Sequence, residues 1–316
     1  MNPSEDTRFS WFESHSSGFS GELKWNELLA RHTYYRIGGP AALMLLPKRV
    51  EDFKWIAEGL AATGLPYCFF GMGSNYLVSD LGYPGVLIKT TKVSQGIEMI
   101  SPTRLKIGSG VAISSLLRRC AQEGWGGLEF LTGVPGSIGG AVVMNAGTHL
   151  GESSGRLRKV VALDLNRDAE ILSFTGDSLV YEYRKNHFLR PGQWVCETEW
   201  EITPQDPMSV KALIDTTLAR RKQSQPVDYP SCGSVFKNPK SAGLHAWQVM
   251  DQLGMRGQRQ GDAQVSEKHS NFFVNLGQAK AQDVKFLIDE AKRRAKFELG
   301  ITLEEEVKFL GDFPES

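Results

Sequence analysis

The sequence predicts a soluble protein of mixed helix and strand, organised as two or three domains. Its 316 residues suffice for that number at roughly 100–200 residues per domain. Hydrophobic residues make up 41% and charged residues 23%, a composition that fills a large core without disulfides or metals. Short β-like runs alternate with segments whose apolar residues recur at helical spacing.

Residues 1–20 are polar and Ser-rich and are expected to form a disordered tail. A helix follows over Val50 to Leu60, with Val50, Phe53, Ile56, Ala57 and Leu60 on one face and Gly64 just past its end. Leu65 to Phe70 reads as a buried strand, and Tyr76-Leu77-Val78 and Gly85 to Ile88 as two more. Arg104 to Ile107 is a strand, followed by a helix from Ile113 to Cys120 that Gly124 stops. Val160 to Leu165 and Ile171 to Phe174 form a hairpin, and Val195 to Ile202 alternates like a sheet strand. Thr203-Pro204-Gln205-Asp206-Pro207 reads as a domain linker because it carries two prolines among polar residues. Beyond it come a helix bearing Val210, Leu213, Ile214 and Leu218, a Pro-containing loop to Gly233, and a last helix from Ala281 to Leu299 capped by Gly300. The division this gives is a tail (1–20), two segments (21–90 and 91–203) and a C-terminal part (204–316).

Several function classes are excluded by composition. Lys and Arg number 36 and Asp and Glu 36, so the formal net charge is zero. A broad basic surface for nucleic acid or acidic lipid is not expected. The longest apolar run, Ala41 to Leu46, is far short of the ~20 residues of a membrane span. The N-terminus lacks the basic and apolar regions of a secretory signal, and the four Cys show no CxxC spacing. A cytosolic protein with reduced thiols is the expectation. The six His have no metal-ligand spacing, so no metal is expected.

Two glycine-rich loops stand out. Gly71-Met72-Gly73-Ser74-Asn75 follows a strand, and its glycines let successive N–H groups point at an anion such as a pyrophosphate. It is not the dinucleotide fingerprint, which needs a third Gly at Tyr76 and a helix straight after, and by itself it reads equally as a tight turn. Gly133-Val134-Pro135-Gly136-Ser137-Ile138-Gly139-Gly140-Ala141, running on through Asn145-Ala146-Gly147, suggests backbone packed against a flat or extended ligand. The alternative is a bulged barrel corner.

Together these loops resemble the FAD-binding core of the UDP-N-acetylenolpyruvoylglucosamine reductase family. Arg36-Ile37-Gly38-Gly39-Pro40-Ala41 is similar to its opening motif and Tyr183-Arg184 to its arginine motif. Pro230 to Pro239 is similar to its serine motif, and Gln264 to Phe272 and Glu306 to Gly311 to its C-terminal motifs. The resemblance runs in order over about residues 25 to 311. It implies an α+β protein, with a vanillyl-alcohol-oxidase-type FAD-binding fold of two subdomains plus a C-terminal α+β substrate-binding domain. It implies NADPH-dependent reduction of the enolpyruvyl ether of a UDP-sugar to UDP-N-acetylmuramate, a peptidoglycan precursor. The short separation of Arg184 and Ser234 resembles the branch that lacks an inserted tyrosine-bearing loop.

The resemblance further implies roles for individual residues. FAD would be held by Arg36, Gly71, Met72, Gly73, Ser74 and Asn75, and by Gly133, Pro135, Gly136, Ser137, Gly139, Gly140, Asn145 and Ala146. Ser234 would donate the proton, Arg184 would clamp the substrate carboxylate, and Glu306 would polarise that carboxylate or share a proton. The chemistry asks for such groups, because hydride addition to a vinyl carbon builds charge that must be stabilised and then protonated. Substrate contacts are expected from Arg221, Lys237, Asn238, Gln264, His269 and Asn271, with His269 and Asn271 either holding substrate or ordering the domain. Asn186 and Ser224 depart from the family pattern, which usually has Ser and Lys there; either Lys222 replaces the latter or the diphosphate is held otherwise. Cys232 sits beside the serine motif but has no His/Asp arrangement to make it a nucleophile. The partners expected are a UDP-sugar and NADPH, with no nucleic acid and no membrane, and the chain is expected to be a monomer. An oxidase on the same fold, or a UDP-sugar-binding protein that has lost flavin, are the competing readings.

Overall fold

The computed structural model describes residues 7–239 and 243–314. By contacts the chain divides into two compact units, one of Met1–Asn26, Ala42–Gly71 and Gly85–Ala219, the other of Glu27–Ala41, Met72–Pro84 and Arg220–Ser316.

The first unit holds two hydrophobic cores. In one, the helix Asp52–Thr63 packs Phe53, Ile56, Ala57 and Leu60 against Leu43, Leu45, Val86 and Ile88. These come from a four-stranded sheet in the order Glu22–Leu28, Pro40–Leu46, Tyr83–Lys89, Tyr67–Phe70. The strand Pro40–Leu46 is buried at every position after Pro40, as its unbroken apolar run requires. The other core lies under a five-stranded antiparallel sheet in the order Glu170–Thr175, Leu157–Asp164, Gln193–Glu201, Arg104–Gly108, Ile97–Ser101. The helix Ile113–Glu123 buries Ile113, Leu116, Leu117 and Cys120 there, the face its sequence period marks.

The second unit builds its core on the helix Ala281–Leu299, which buries Val284, Leu287, Ile288, Ala291 and Ala295. A three-stranded antiparallel sheet of Arg259–Gln260, Ala263–Val265 and Phe273–Asn275 belongs to the same unit. So does the parallel pair of Tyr76–Val78 with Lys308–Leu310. Tyr35, Ile37 and Leu77, from the two N-terminal pieces of this unit, are part of its core. Asp80 supplies the cap of the long helix: its carboxylate accepts from the amides of Ala281 (2.8 Å) and Gln282 (3.0 Å). A carboxylate on the first-turn amides satisfies orphan donors and favours the positive end of the helix dipole. Asp80→Ala is expected to destabilise this unit by about 1 kcal/mol, read as a lower midpoint in chemical denaturation.

Three predicted helix ends are found where the glycines place them. Gly64, Gly124 and Gly300 take left-handed backbone at φ 63°, 71° and 69°. Two expectations are corrected. From Thr7 the N-terminal segment is ordered as short helical turns, with Phe9, Phe12 and Phe19 buried. Its aromatics pack on Trp55, whose ring stacks on Phe19 at 4.6 Å and whose Nε1 donates to the His15 carbonyl at 3.0 Å; residues 1–6 lie outside the described ones. The expected linker is also structured: Thr203 and Pro204 pair with Gly126 and Trp125, and Pro207 begins the helix Pro207–Ser224. The boundary between the units falls inside that helix, after Ala219.

Candidate active site

The long glycine stretch is anchored in the first unit. The amides of Ile138 and Gly139 donate to the carbonyls of Val111 and Ser109, both at 2.9 Å, and Gly140 donates to Ser137 Oγ at 3.4 Å. Those N–H groups are therefore committed inside the protein, and a ligand's donors must come from elsewhere in the stretch. Gly133 and Gly136 take positive φ (76° and 127°), while the Ala146 amide donates to Ala141. Gly71 lies beside this stretch, since a Cβ added there would sit 3.4 Å from Ser137 Oγ and meet nothing closer. Around the stretch, Ser109 Oγ, Thr132 Oγ1 and Glu129 Oε1 are buried without a hydrogen-bond partner. Glu129 uses only its other oxygen, which accepts from Gly127 N at 2.7 Å. Orphaned buried polar atoms are costly and concentrate where a ligand completes the structure. The open position at Gly71 and the unsatisfied polar atoms around the stretch fit a bound cofactor with polar edges.

A second group forms at Arg184. The hairpin Tyr181–Glu182 and Lys185–Asn186 turns on Tyr183 and Arg184, and Arg184 takes a left-handed φ of 57°. Its guanidinium donates to the carbonyls of Asn145 (3.2 Å) and Gly147 (3.0 Å), lies 3.5 Å from Glu152 Oε1, and sits over the Tyr183 ring. Asn145, 1% exposed and also left-handed (φ 44°), donates to Glu152 Oε2 and the Glu182 carbonyl. Non-glycine residues in this strained region persist only where the surrounding structure holds them, as these bonds do. Gly147 has no room for a side chain, as a Cβ would come 2.2 Å from the Gly151 carbonyl. Asn145 thus spends its side chain on holding the arginine loop. Glu152 was not legible in the sequence, because nothing in its local spacing ties it to Arg184. Asn186 serves the loop fully, donating to the Val143 carbonyl (2.8 Å) and accepting from Leu189 N (3.0 Å). Tyr181 pins the hairpin by donating to the Val142 carbonyl, and burial pushes its hydroxyl pKa well up.

The third group belongs to the second unit and joins Ser234, Glu306, Asn75 and Asn271. Ser234 bridges Phe272, and Val235 N donates to the Asn271 carbonyl at 2.8 Å. On its other side the Val235 carbonyl accepts from Glu306 N at 2.8 Å. The Glu306 carbonyl accepts from Asn75 Nδ2 at 3.0 Å, and Lys308 N donates to the Asn75 carbonyl. Ser234 and Glu306 are thus one hydrogen bond and one residue apart. The acidic run is sorted: Glu304 pairs with Lys237 (2.9 Å) and Glu305 with Lys292 (2.6 Å). Lys237, expected beside the serine, has its ammonium on Glu304. Gly73 accepts from Tyr34 N, with Met72 and Ser74 half-buried around it.

Other expected residues are placed differently. Asn238 Oδ1 accepts from Ala246 N at the start of the helix Ala246–Gln252, and Gln264 sits in a strand with its amide on the Gly257 carbonyl. Arg36 is exposed in a left-handed turn over Thr33. The His269 ring packs on Phe272, with Nδ1 buried and unpartnered. Burial first, and then the Arg256 and Arg221 charges, hold its pKa below the usual histidine range, against the pull of Asp251. Arg221 is itself desolvated. Cys232 is buried with its thiol on the Tyr76 carbonyl, and burial drives its pKa far up, which removes it as a nucleophile.

Comparison with known proteins assigns this architecture. A family model described as "UDP-N-acetylenolpyruvoylglucosamine reductase, C-terminal domain" matches residues 225–310, and one described as "FAD binding domain" matches residues 41–163. The UDP-N-acetylenolpyruvoylglucosamine reductase of Geobacter metallireducens is 40% identical over 294 residues, covering 92% of this chain and 95% of its own. This chain belongs to the UDP-N-acetylenolpyruvoylglucosamine reductase family. The reductase of Carboxydothermus hydrogenoformans is 36% identical, with 91% and 93% covered. The crystal structure of the reductase from Thermus caldophilus superposes with a TM-score of 0.76 at 33% identity, covering 92% of this chain and 99% of that one. The reductase fold expected from the motifs is the one found, with its FAD-binding domain and its family C-terminal domain. The chain is an FAD-dependent oxidoreductase. Among the described residues no helix is long and apolar enough to cross a membrane, and no group of His, Cys, Asp and Glu could hold a metal ion.

Proposed function

We propose that this reductase converts the enolpyruvyl ether of UDP-N-acetylenolpyruvoylglucosamine to UDP-N-acetylmuramate, with NADPH as its electron source and Ser234 as its proton donor. The observation that carries this reading is the bond from Glu306 N to the carbonyl of Val235, which ties the proposed donor to the proposed acid partner. FAD, when bound, would supply the hydride for the terminal vinyl carbon. Ser109, Thr132 and Glu129 would meet the cofactor's polar edges. Arg184 would bind the substrate carboxylate through the planar fork of its guanidinium. Two backbone carbonyls and Glu152 hold that fork, so its orientation is set before substrate arrives. Charge building up next to the carboxylate is then met by a fixed cation, and Ser234 delivers the proton to the carbon that carries it. Glu306 would polarise the carboxylate or share that proton. Arg221, itself desolvated and among the charges that lower the His269 pKa, would meet the diphosphate. NADPH and the UDP-sugar would take turns, and the enzyme would work as a cytosolic monomer.

The test is an anaerobic visible spectrum of the flavin-loaded protein. NADPH should bleach the flavin band, and the enolpyruvyl UDP-sugar should restore it. Bleaching without recovery would send the electrons to another acceptor, as in the oxidase reading. A protein that takes up no FAD would support the binding-protein reading.

A further inference from the structure

We infer that Asn271 is a positioning residue for proton delivery, acting on Ser234 through the peptide of Phe236 rather than by touching substrate. The inference rests on the reading of Ser234 as the donor. Asn271 is 3% exposed, and its side chain closes a two-way clamp. Its Oδ1 accepts from Phe236 N at 3.0 Å, and its Nδ2 donates to the Phe236 carbonyl at 2.8 Å. Its own carbonyl accepts from Val235 N at 2.8 Å. One asparagine therefore holds three of the four backbone polar groups of Val235 and Phe236, next to Ser234; the fourth, the Val235 carbonyl, accepts from Glu306 N.

The clamp does what a neighbouring strand would do. Val235 and Phe236 both send their amides toward Asn271, which regular pairing does not allow, because successive residues of a strand point their groups to opposite sides. The side-chain amide, with both donor and acceptor, supplies the missing pair. The opposite side of the segment is held by Glu304 to Val307: Lys237 N donates to the Glu304 carbonyl, and Glu306 N to that of Val235. Ser234 is thus fixed from two sides, and only one of them depends on a side chain. Phe236 is 1% exposed, so its peptide cannot turn to water if the clamp is lost. It must shift toward another partner, moving Ser234 two residues away and the Glu306 amide bonded to Val235. Both donor and acceptor of the Asn271 side chain are occupied within the protein, which leaves little of it for a ligand.

Two variants test this, each compared with Ser234→Ala by anaerobic stopped flow. In Asn271→Ala, NADPH should reduce the flavin within about twofold of the normal rate. Reoxidation by the enolpyruvyl UDP-sugar should fall roughly tenfold to a hundredfold, the scale of a displacement near 1 Å. The solvent deuterium isotope effect on reoxidation should rise, since proton delivery becomes the slow step. Asn271→Asp keeps the acceptor for Phe236 N and loses the donor. Its carboxyl can donate to the Phe236 carbonyl only when protonated, so its reoxidation rate relative to the unmodified enzyme should recover as the pH is lowered from 8 to 6. Asn271→Ala should show no such recovery. Loss of both half-reactions together, an unchanged isotope effect, or a pH-independent ratio in Asn271→Asp would overturn the inference. Should Asn271→Ala not fold, the pH series of Asn271→Asp decides. Normal reoxidation in Ser234→Ala would instead overturn the proton-donor reading, and with it the positioning role of Asn271.

Discussion

Ser234→Ala is expected to let NADPH bleach the flavin at the normal rate and to slow return of the band with the enolpyruvyl UDP-sugar by roughly 10²–10⁴-fold. A serine hydroxyl is a weak acid, so its value as a donor lies in being held where the proton is needed. Its backbone is fixed by the bridge to Phe272 and by Val235, which bonds Asn271 on one side and Glu306 on the other. None of those bonds uses the hydroxyl, so the variant should keep its fold, flavin content and denaturation midpoint. Equal reoxidation rates in the two proteins would remove Ser234 from the chemistry and leave Glu306 as the residue to test next.

Arg184→Ala should slow the same half-reaction by roughly 10²–10³-fold, the cost of losing one preorganised charge-stabilising donor. Flavin reduction should stay near normal. Arg184→Lys should restore little, because an ammonium cannot donate to the Asn145 and Gly147 carbonyls at once while presenting a planar fork. Removing Arg184 also leaves Glu152 and the two carbonyls facing the place where an anion would bind, which adds repulsion to the lost attraction. A variant with normal kcat and a modestly raised KM would show Arg184 to be an ordinary binding contact. That result would place charge stabilisation elsewhere in the site.

Much of the fold is legible in the chain because the signals are local. The helix Ala281–Leu299 begins and ends where its period and Gly300 place it. The hairpin of Leu157–Asp164 with Glu170–Thr175 and the strand Gln193–Glu201 follow from short-range alternation. The N-terminal segment reads as a tail because its serine content conceals Phe9, Phe12 and Phe19, which meet their packing partners, Trp25 for Phe9 and Trp55 for Phe12 and Phe19, only after the chain turns back. Residues 203–207 read as a linker because a Pro-rich stretch looks the same whether or not a strand such as Trp125–Gly126 lies beside it.

The candidate site divides in the same way. The motifs single out Ser234, Arg184 and Glu306, since those residue types suit the chemistry wherever they stand. They do not tell that Asn145 holds the arginine loop, that Asn238 caps a helix, or that Lys237 pairs with Glu304. Nor do they reveal Glu152, or separate the two readings left open for Asn271. The periodic elements, the glycine caps and the kinds of chemical group available are written in the order of residues along the chain. What each polar side chain bonds to is settled by folding. A helix or strand is written in neighbours a few residues apart, whereas the partner of a buried amide or carboxylate is whatever group folding brings within about 3 Å, as Asn75 is brought to Glu306 and Asn271 to Phe236.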